Sequence, residues 1–520
     1  MILIMLINRL SSPKANPHSI AAVSLMSKFR RSIFALALAI FLGPTIAEAQ
    51  GIWATIKIHG QKAEVSGSFD REPPFAGPLP TPVTILSFLD NYAGVTGLSK
   101  RFSKVSKSDD LGKMQTPLKN LGSGKYVDPN GAEIKYCSYE VDLAPMGGTI
   151  APAHTSWISG NQGVLMFDDI LPQEGVSGVS IVSLELPDGW QVFGPARFQW
   201  REGNFRNFAF LRGEKGSLVI GKGLRSIVLD KFSIVTSGGW MFEDSDLKAS
   251  VAEIKLRYET TFDSIPAREN QISVLHYPSE TPPGQWEADT RGSGVTILSS
   301  DAAFKSQSLN RLHEQLRHEI FHLWFPNGVN LSGNYDWFYE GFALYQSLKL
   351  GVATNRIRFD DYLDTLSRAY SIDRLSSRRV SMIDASKNRF AGNELAVYAR
   401  GMLVAFLCDL AMMDASKGKR STDDLVKEIY QKHPLSSPRV DGNDAILAIM
   451  KQHPELKSVA DRYVTGAEAI DWASLLNVAG LELVENGREK GLKVLAKPSG
   501  RQKDILYKLG YNNWRKLGSK

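Results

Sequence analysis

A chain of 520 residues with 43% hydrophobic and 22% charged side chains has the composition of a folded globular protein, which excludes disordered, fibrous and low-complexity classes. Two cysteines, Cys137 and Cys408, are too few for a disulfide scaffold. The net charge of +6 sits at the ends: residues 1–49 carry five Lys/Arg against Glu48, and the chain from Gly487 carries ten against Glu489 and Asp504. The long middle is therefore acidic. No nucleic-acid partner is expected, and the basic tail reads as a solvated surface.

Lys28-Phe29-Arg30-Arg31, the apolar run Ile33–Leu42 and Ala47-Glu48-Ala49 follow the three-part order of a secretory signal, with cleavage expected after Ala49. The apolar run is about half of the roughly 20 residues that span a bilayer, so a cleaved signal over 26–49 is expected rather than an anchor. Met26 stands just before the positive region, and residues 1–25 read as a mis-assigned start. The mature chain is expected to be exported, periplasmic or secreted, with no transmembrane segment.

From Gly51 to about Gly239 the texture is β. Ile52, Ala54, Ile56 and Ile58 alternate with other residues, Val179–Leu186 forms a second run, and Leu218-Val219-Ile220 lies between glycines. Turn signals such as Pro187-Asp188-Gly189 recur between runs. Near Ser245 the period becomes helical, with Leu247, Val251, Ile254, Tyr258 and Phe262 on one face and Ser245 or Asp246 as the expected N-cap. Two strand-like runs follow, Ile272–His276 and Val295–Leu298, and helical patterns dominate from Ser308 to Leu476. The expected architecture is multidomain α+β: an antiparallel β-sandwich or saddle over 50–243, a mainly helical domain over 244–476, and a short basic segment over 477–520.

The expected helix Leu309–Phe325 contains His318-Glu319-Ile320-Phe321-His322. Residues four apart lie on one helix face, so both imidazoles can meet one Zn²⁺ ion while Glu319 faces a water on it. With nine histidines in 520 residues, this pattern arises by chance in roughly 1% of such chains. Pro326-Asn327-Gly328 should end the helix. A second helix from Asp336 carries Glu340 inside the apolar stretch Trp337-Phe338-Tyr339-Glu340-Gly341-Phe342-Ala343. A carboxylate buried there needs a compensating charge. His318, His322 and Glu340 as ligands leave a fourth tetrahedral place open, the arrangement of a catalytic zinc site with Glu319 as general base.

This pattern, with Glu340 following His322 after 17 residues, resembles the gluzincin zinc metallopeptidases, in particular the membrane alanyl and glycyl aminopeptidase families. The resemblance implies an N-terminal β domain followed by a thermolysin-like zinc peptidase domain. The gap is one residue shorter than is usual in the alanyl group. Val397-Tyr398-Ala399-Arg400-Gly401 is similar to the Tyr-x-Lys-Gly helix of these families, which implies that Tyr398 donates to the oxyanion, with Arg400 in the lysine's place. Gly284-Gln285-Trp286-Glu287-Ala288, whose Glu287 lies 31 residues before His318, is in register with the strand whose glutamate grips a substrate's α-ammonium, although the following Asn or His is missing. The resemblance thus implies an aminopeptidase acting on peptides. An endopeptidase of the same fold and a catalytically silent metal-binding envelope protein are the alternatives.

The other histidines lack ligand spacing. His313 is off the ligand face, and His276 either lines the cleft or packs. Cys408 is expected to be a buried inert thiol.

Overall fold

The computed structural model describes residues 51–69, 82–108, 114–146, 152–176, 180–195, 198–210, 217–266, 268–376, 379–486 and 489–512. The secretory-signal reading over 1–49 lies outside them.

Strand Trp53–His59 buries Ala54, Ile56 and Ile58 and turns Trp53, Lys57 and His59 to solvent, as a period-2 pattern requires. It anchors an eight-stranded sheet in the order 198–202, 205–210, 180–185, 53–59, 62–68, 136–142, 102–108, 115–117. A four-stranded sheet in the order 157–159, 162–166, 217–221, 191–193 packs on it, so that Ile56, Val65, Tyr139 and Val182 share one core with Ile158, Leu165, Leu218 and Ile220. The expectation of a purely antiparallel sandwich is corrected: Trp53–Lys57 pairs parallel with Ile181–Glu185. Its hairpin partner Lys62–Ser68 fills one side, and the other edge is taken by a strand that returns from far along the chain.

The second half opens on a five-stranded sheet in the order 225–229, 232–236, 270–276, 294–299, 286–291. Strand pairing therefore changes between Gly221 and Arg225, upstream of the helical onset that marks the expected boundary at 243/244. Trp286–Arg291 forms one edge, antiparallel to Gly294–Ser299. Helix α1 (Asp244–Phe262) buries the predicted face Leu247, Val251, Ile254, Tyr258 and Phe262, but starts ahead of both expected caps, with Asp246 accepting a 2.9 Å hydrogen bond from the Glu243 amide. The helices that matter for the site are α2 (Lys305–Phe321), α3 (Asp336–Ala353), α4 (Phe359–Leu375), α5 (Met382–Lys387) and α6 (Glu394–Ala415). They share one apolar core, which also takes in Leu481, Leu492, Ile505 and Leu506 of the basic C-terminal segment. Residues Arg389–Ala415 are long and apolar enough to cross a membrane, with 83% of their most apolar window buried within the protein.

Helix α2 begins four residues before its expected start and ends at Phe321. His322 is the C-cap residue and its amide turns back onto the Glu319 carbonyl at 3.1 Å, tightening the last turn. On the far side of α2, His313 is buried; its Nε2 lies 3.0 Å from Glu253 Oε2, and its Nδ1 lies 2.8 Å from Arg317 Nη1. Arg317 can only donate, so Nδ1 accepts and the second imidazole proton has no place. Burial, then Arg317 and Arg356, pull the His313 pKa down to about 4 against the pull of Glu253. Because the unfolded chain binds this proton near pH 6.5 and the folded one does not, stability should fall as pH drops from about 6.5 toward 4, by up to ~1.4 kcal/mol per pH unit. Urea unfolding of the parent and of His313→Gln across that window checks this; the variant should lose that part of the slope.

The His276 ring stacks on Trp240 at 3.8 Å, and its Nε2 meets the Gly239 carbonyl at 3.0 Å. Cys137 and Cys408 are free, buried thiols whose pKa values burial pushes up, to about 12 for Cys137.

Candidate active site

Three elements bring the site together. The last turn of α2 presents His318 and His322, α3 presents Glu340, and α6 presents Tyr398. Helices α3 and α6 cross at two glycines, Gly341 and Gly401, each adjacent or nearly so to a site residue: a Cβ on Gly341 would lie 2.4 Å from the Gly401 backbone.

Glu340 Oε2 lies 3.2 Å from His318 Nε2 and 3.6 Å from His322 Nε2, and the two Nε2 atoms are 3.2 Å apart. One donor atom from each of the three side chains lies within 4.8 Å of the others. Nδ1 of His322 faces the Phe325 carbonyl at 2.8 Å, which fixes that ring with Nε2 inward. Burial works to raise the Glu340 pKa, but the two imidazoles and Arg389 outweigh it and hold the carboxyl well below the usual range. His322 is correspondingly raised to about 9: burial opposes the charge, and Glu340 overcomes it.

Glu319 is not among these converging donor atoms. Its Oε2 accepts a 2.6 Å hydrogen bond from Thr290 Oγ1 on the sheet-edge strand, and its side chain is buried. Tyr398, mostly buried, lies with its ring 6.5 Å from that of His318. Burial and Glu340 push its phenol well above its usual pKa, against Arg389, so it remains a proton donor at neutral pH.

Arg389 joins these groups. It stands on the kinked turn Arg389–Asn393 between α5 and α6, where Gly392 takes φ 93°. Its Nη1 lies 2.9 Å from Glu340 Oε1 and 3.1 Å from Asp336 Oδ1, and its Nη2 donates to the Tyr398 hydroxyl.

The structure thus brings together His318, Glu319, His322, Glu340 and Tyr398. Glu287 is on the same edge strand as Thr290, but by strand alternation on its opposite face. Its half-buried carboxylate accepts a 3.4 Å hydrogen bond from the Ala153 amide, and burial raises its pKa against that bond and His154. Arg400, in the place of the family lysine, turns from the site: its Nη1 bonds Asp373 Oδ1 at 2.9 Å and its Nη2 the Glu468 carbonyl at 2.6 Å, tying α6 to α4. Sequence reasoning missed Thr290 and Arg389. Neither has a spacing signal, since one acts across a sheet edge and the other from a kink.

No family model matches the chain, and no curated protein matches it. Solved structures share its fold. An aminopeptidase N family protein from Idiomarina loihiensis matches with TM-score 0.67 at 16% identity, over 83% of this chain and 79% of that one. An M1 zinc metallopeptidase from Deinococcus radiodurans matches with TM-score 0.50 at 14% identity, over 83% of this chain and 96% of that one, and a mutant of it with TM-score 0.51 at 13% identity, over 82% and 95%. The chain has the fold of the M1 zinc metallopeptidases, in agreement with the resemblance carried by its motifs.

Proposed function

We infer that the chain is an exported zinc metallopeptidase that removes N-terminal residues from peptides. The observation that carries the zinc reading is Glu340 Oε2. This oxygen is buried, makes no well-formed hydrogen bond among the described residues, and faces the Nε2 atoms of two imidazoles at 3.2 and 3.6 Å that converge on the same point. An acceptor so placed is costly unless a cation occupies the gap. Two nitrogens and one carboxylate oxygen are the donor set of a catalytic zinc site, so His318, His322 and Glu340 would hold the ion. Zinc bound there supplies Lewis acidity, lowering the pKa of a water and polarising a carbonyl.

The chain's own residues do the rest. Glu319, outside the donor set and held at Oε2 by Thr290, takes the water's proton on the carboxylate oxygen that Thr290 leaves free and returns it to the leaving amine. Tyr398 gives a hydrogen bond to the oxyanion that develops on the scissile carbonyl. A silent metal-binding module would have no use for a general base held by its own hydrogen bond, which favours the enzyme.

Exopeptidase action rests on the motif register of Glu287 rather than on its placement, since its side chain lies on the strand face opposite Thr290. It is half-buried and, among the described residues, accepts one long hydrogen bond, which leaves acceptor capacity for an ammonium group. Export rests on the N-terminal signal pattern. The test is zinc content together with hydrolysis of paired free and N-acetylated peptides by the purified protein. Acetylation is expected to lower kcat/KM by about 10²-fold or more, since it removes a charged hydrogen-bonding group from a site built for it. Equal cleavage of both forms makes the enzyme an endopeptidase and returns Glu287 to the domain contact it makes with Ala153. A zinc-loaded chain that cuts neither form removes the peptidase reading.

A further inference from the structure

We propose that Arg389 is a positioning residue for catalysis: one guanidinium selects which oxygen of Glu340 faces the metal and which way the Tyr398 proton points. The proposal rests on the zinc peptidase reading and adds a residue to it.

A guanidinium carries five N–H donors in a rigid plane and accepts nothing. Nη1 occupies Glu340 Oε1 at 2.9 Å and shares itself with Asp336 Oδ1 at 3.1 Å. With Oε1 engaged, Oε2 is the oxygen left facing His318 and His322 Nε2, and Glu340 is set to bind through one oxygen. Nη2 donates to the Tyr398 hydroxyl. That donor occupies a lone pair, so the single phenolic proton cannot point at Arg389 and stays available for a developing oxyanion. The guanidinium plane is itself held, over Phe390 and over the Tyr398 ring, at 4.9 Å from each centroid.

Charge makes the same point. Asp336 and Glu340 are both buried on the first turns of α3, and without a cation between them they would repel. Arg389 compensates both from a turn outside the helix. The kink at Ala391 and Gly392 separates this turn from α6, so Arg389 and Tyr398 approach each other from opposite sides of the irregular segment. A lysine would keep one positive charge near the carboxylates but has no second arm for the phenol.

The test uses Arg389→Lys, Tyr398→Phe and the double variant as full-length, zinc-loaded proteins, with circular dichroism to confirm the fold. Arg389→Lys is expected to lower kcat about 30-fold with KM within about twofold, because the contact matters when the oxyanion forms. In the Tyr398→Phe background the same change should cost no more than about threefold, the share exerted through Glu340, because the share exerted through the phenol is already gone. Independently of activity, transfer of zinc to a chelator should be about tenfold faster from Arg389→Lys than from the parent, and unchanged in Tyr398→Phe. Equal kcat losses in both backgrounds, or a kcat and a zinc-transfer rate both like the parent's, overturn the proposal. A parent that hydrolyses no peptide defeats the peptidase reading alone. The zinc-transfer comparison then still decides whether Arg389 holds Glu340.

Discussion

Glu319→Gln is expected to lower kcat on an unblocked peptide by about 10³-fold while leaving zinc content unchanged. The residue can be isolated in this way because of where its oxygens lie. The atoms that converge on the metal position belong to His318, His322 and Glu340, whereas Glu319 Oε2 is engaged by Thr290 Oγ1 at 2.6 Å. Glutamine fills the same volume and can still accept from Thr290 through its carbonyl oxygen, so packing and metal retention should survive. What it lacks is a basic lone pair to take a proton from water. Turnover and metal content measured on one preparation separate the two effects. Activity within tenfold of the parent would mean that the proton goes elsewhere, and loss of zinc would mean that Glu319 shapes the metal position after all.

The parts of this site that are legible in the sequence are those set within a single helix. His318, Glu319 and His322 fall on one face by period alone, and Glu340 stands out as a carboxylate in an apolar stretch. Tyr398 is legible only through its motif, since a phenol on an apolar helix is otherwise an ordinary core residue. Thr290 and Arg389 are not legible, because their roles are set by which segments meet: Thr290 by the edge position of its strand, Arg389 by a kink that no periodicity encodes. The same holds for the fold. The alternation Ala54, Ile56, Ile58 reads directly as a half-buried strand, yet nothing local says that its second neighbour is Ile181–Glu185 running parallel. Helix starts err for a related reason. The polar run Lys305-Ser306-Gln307-Ser308 hides the first turn of α2, where only Ser308 is buried and no apolar stripe has yet begun.

The second large effect is expected at the helix crossing. A Cβ on Gly341 would sit 2.4 Å from both Cα and C of Gly401, and one on Gly401 would sit 2.6 Å from the Trp337 carbonyl oxygen. These contacts are to backbone, so no side chain can rotate aside; α3 and α6 must separate. Alanine in a helix interior gains about 1 kcal/mol over glycine in propensity, and overpacking costs typically 1–3 kcal/mol or more. At this site the cost should win, and Gly341→Ala is expected to destabilise the metal-free protein by about 2 kcal/mol. Gly351→Ala on the same helix is the control: its new Cβ would meet Arg317 Cζ and Ile357 Cδ1, each at 3.1 Å, side-chain atoms that need shift by only a few tenths of an ångström rather than backbone. That variant should stay within about 1 kcal/mol of the parent in denaturant unfolding. Because Glu340 precedes one crossing glycine and Tyr398 lies one turn before the other, the separation also moves the phenol from the carboxylate. Gly341→Ala that does fold should therefore lose kcat in zinc-loaded form, whereas Gly351→Ala should not. If the two variants unfold at the same denaturant concentration, close helix approach is not what fixes the spacing of Glu340 and Tyr398, and Arg389 alone must carry it.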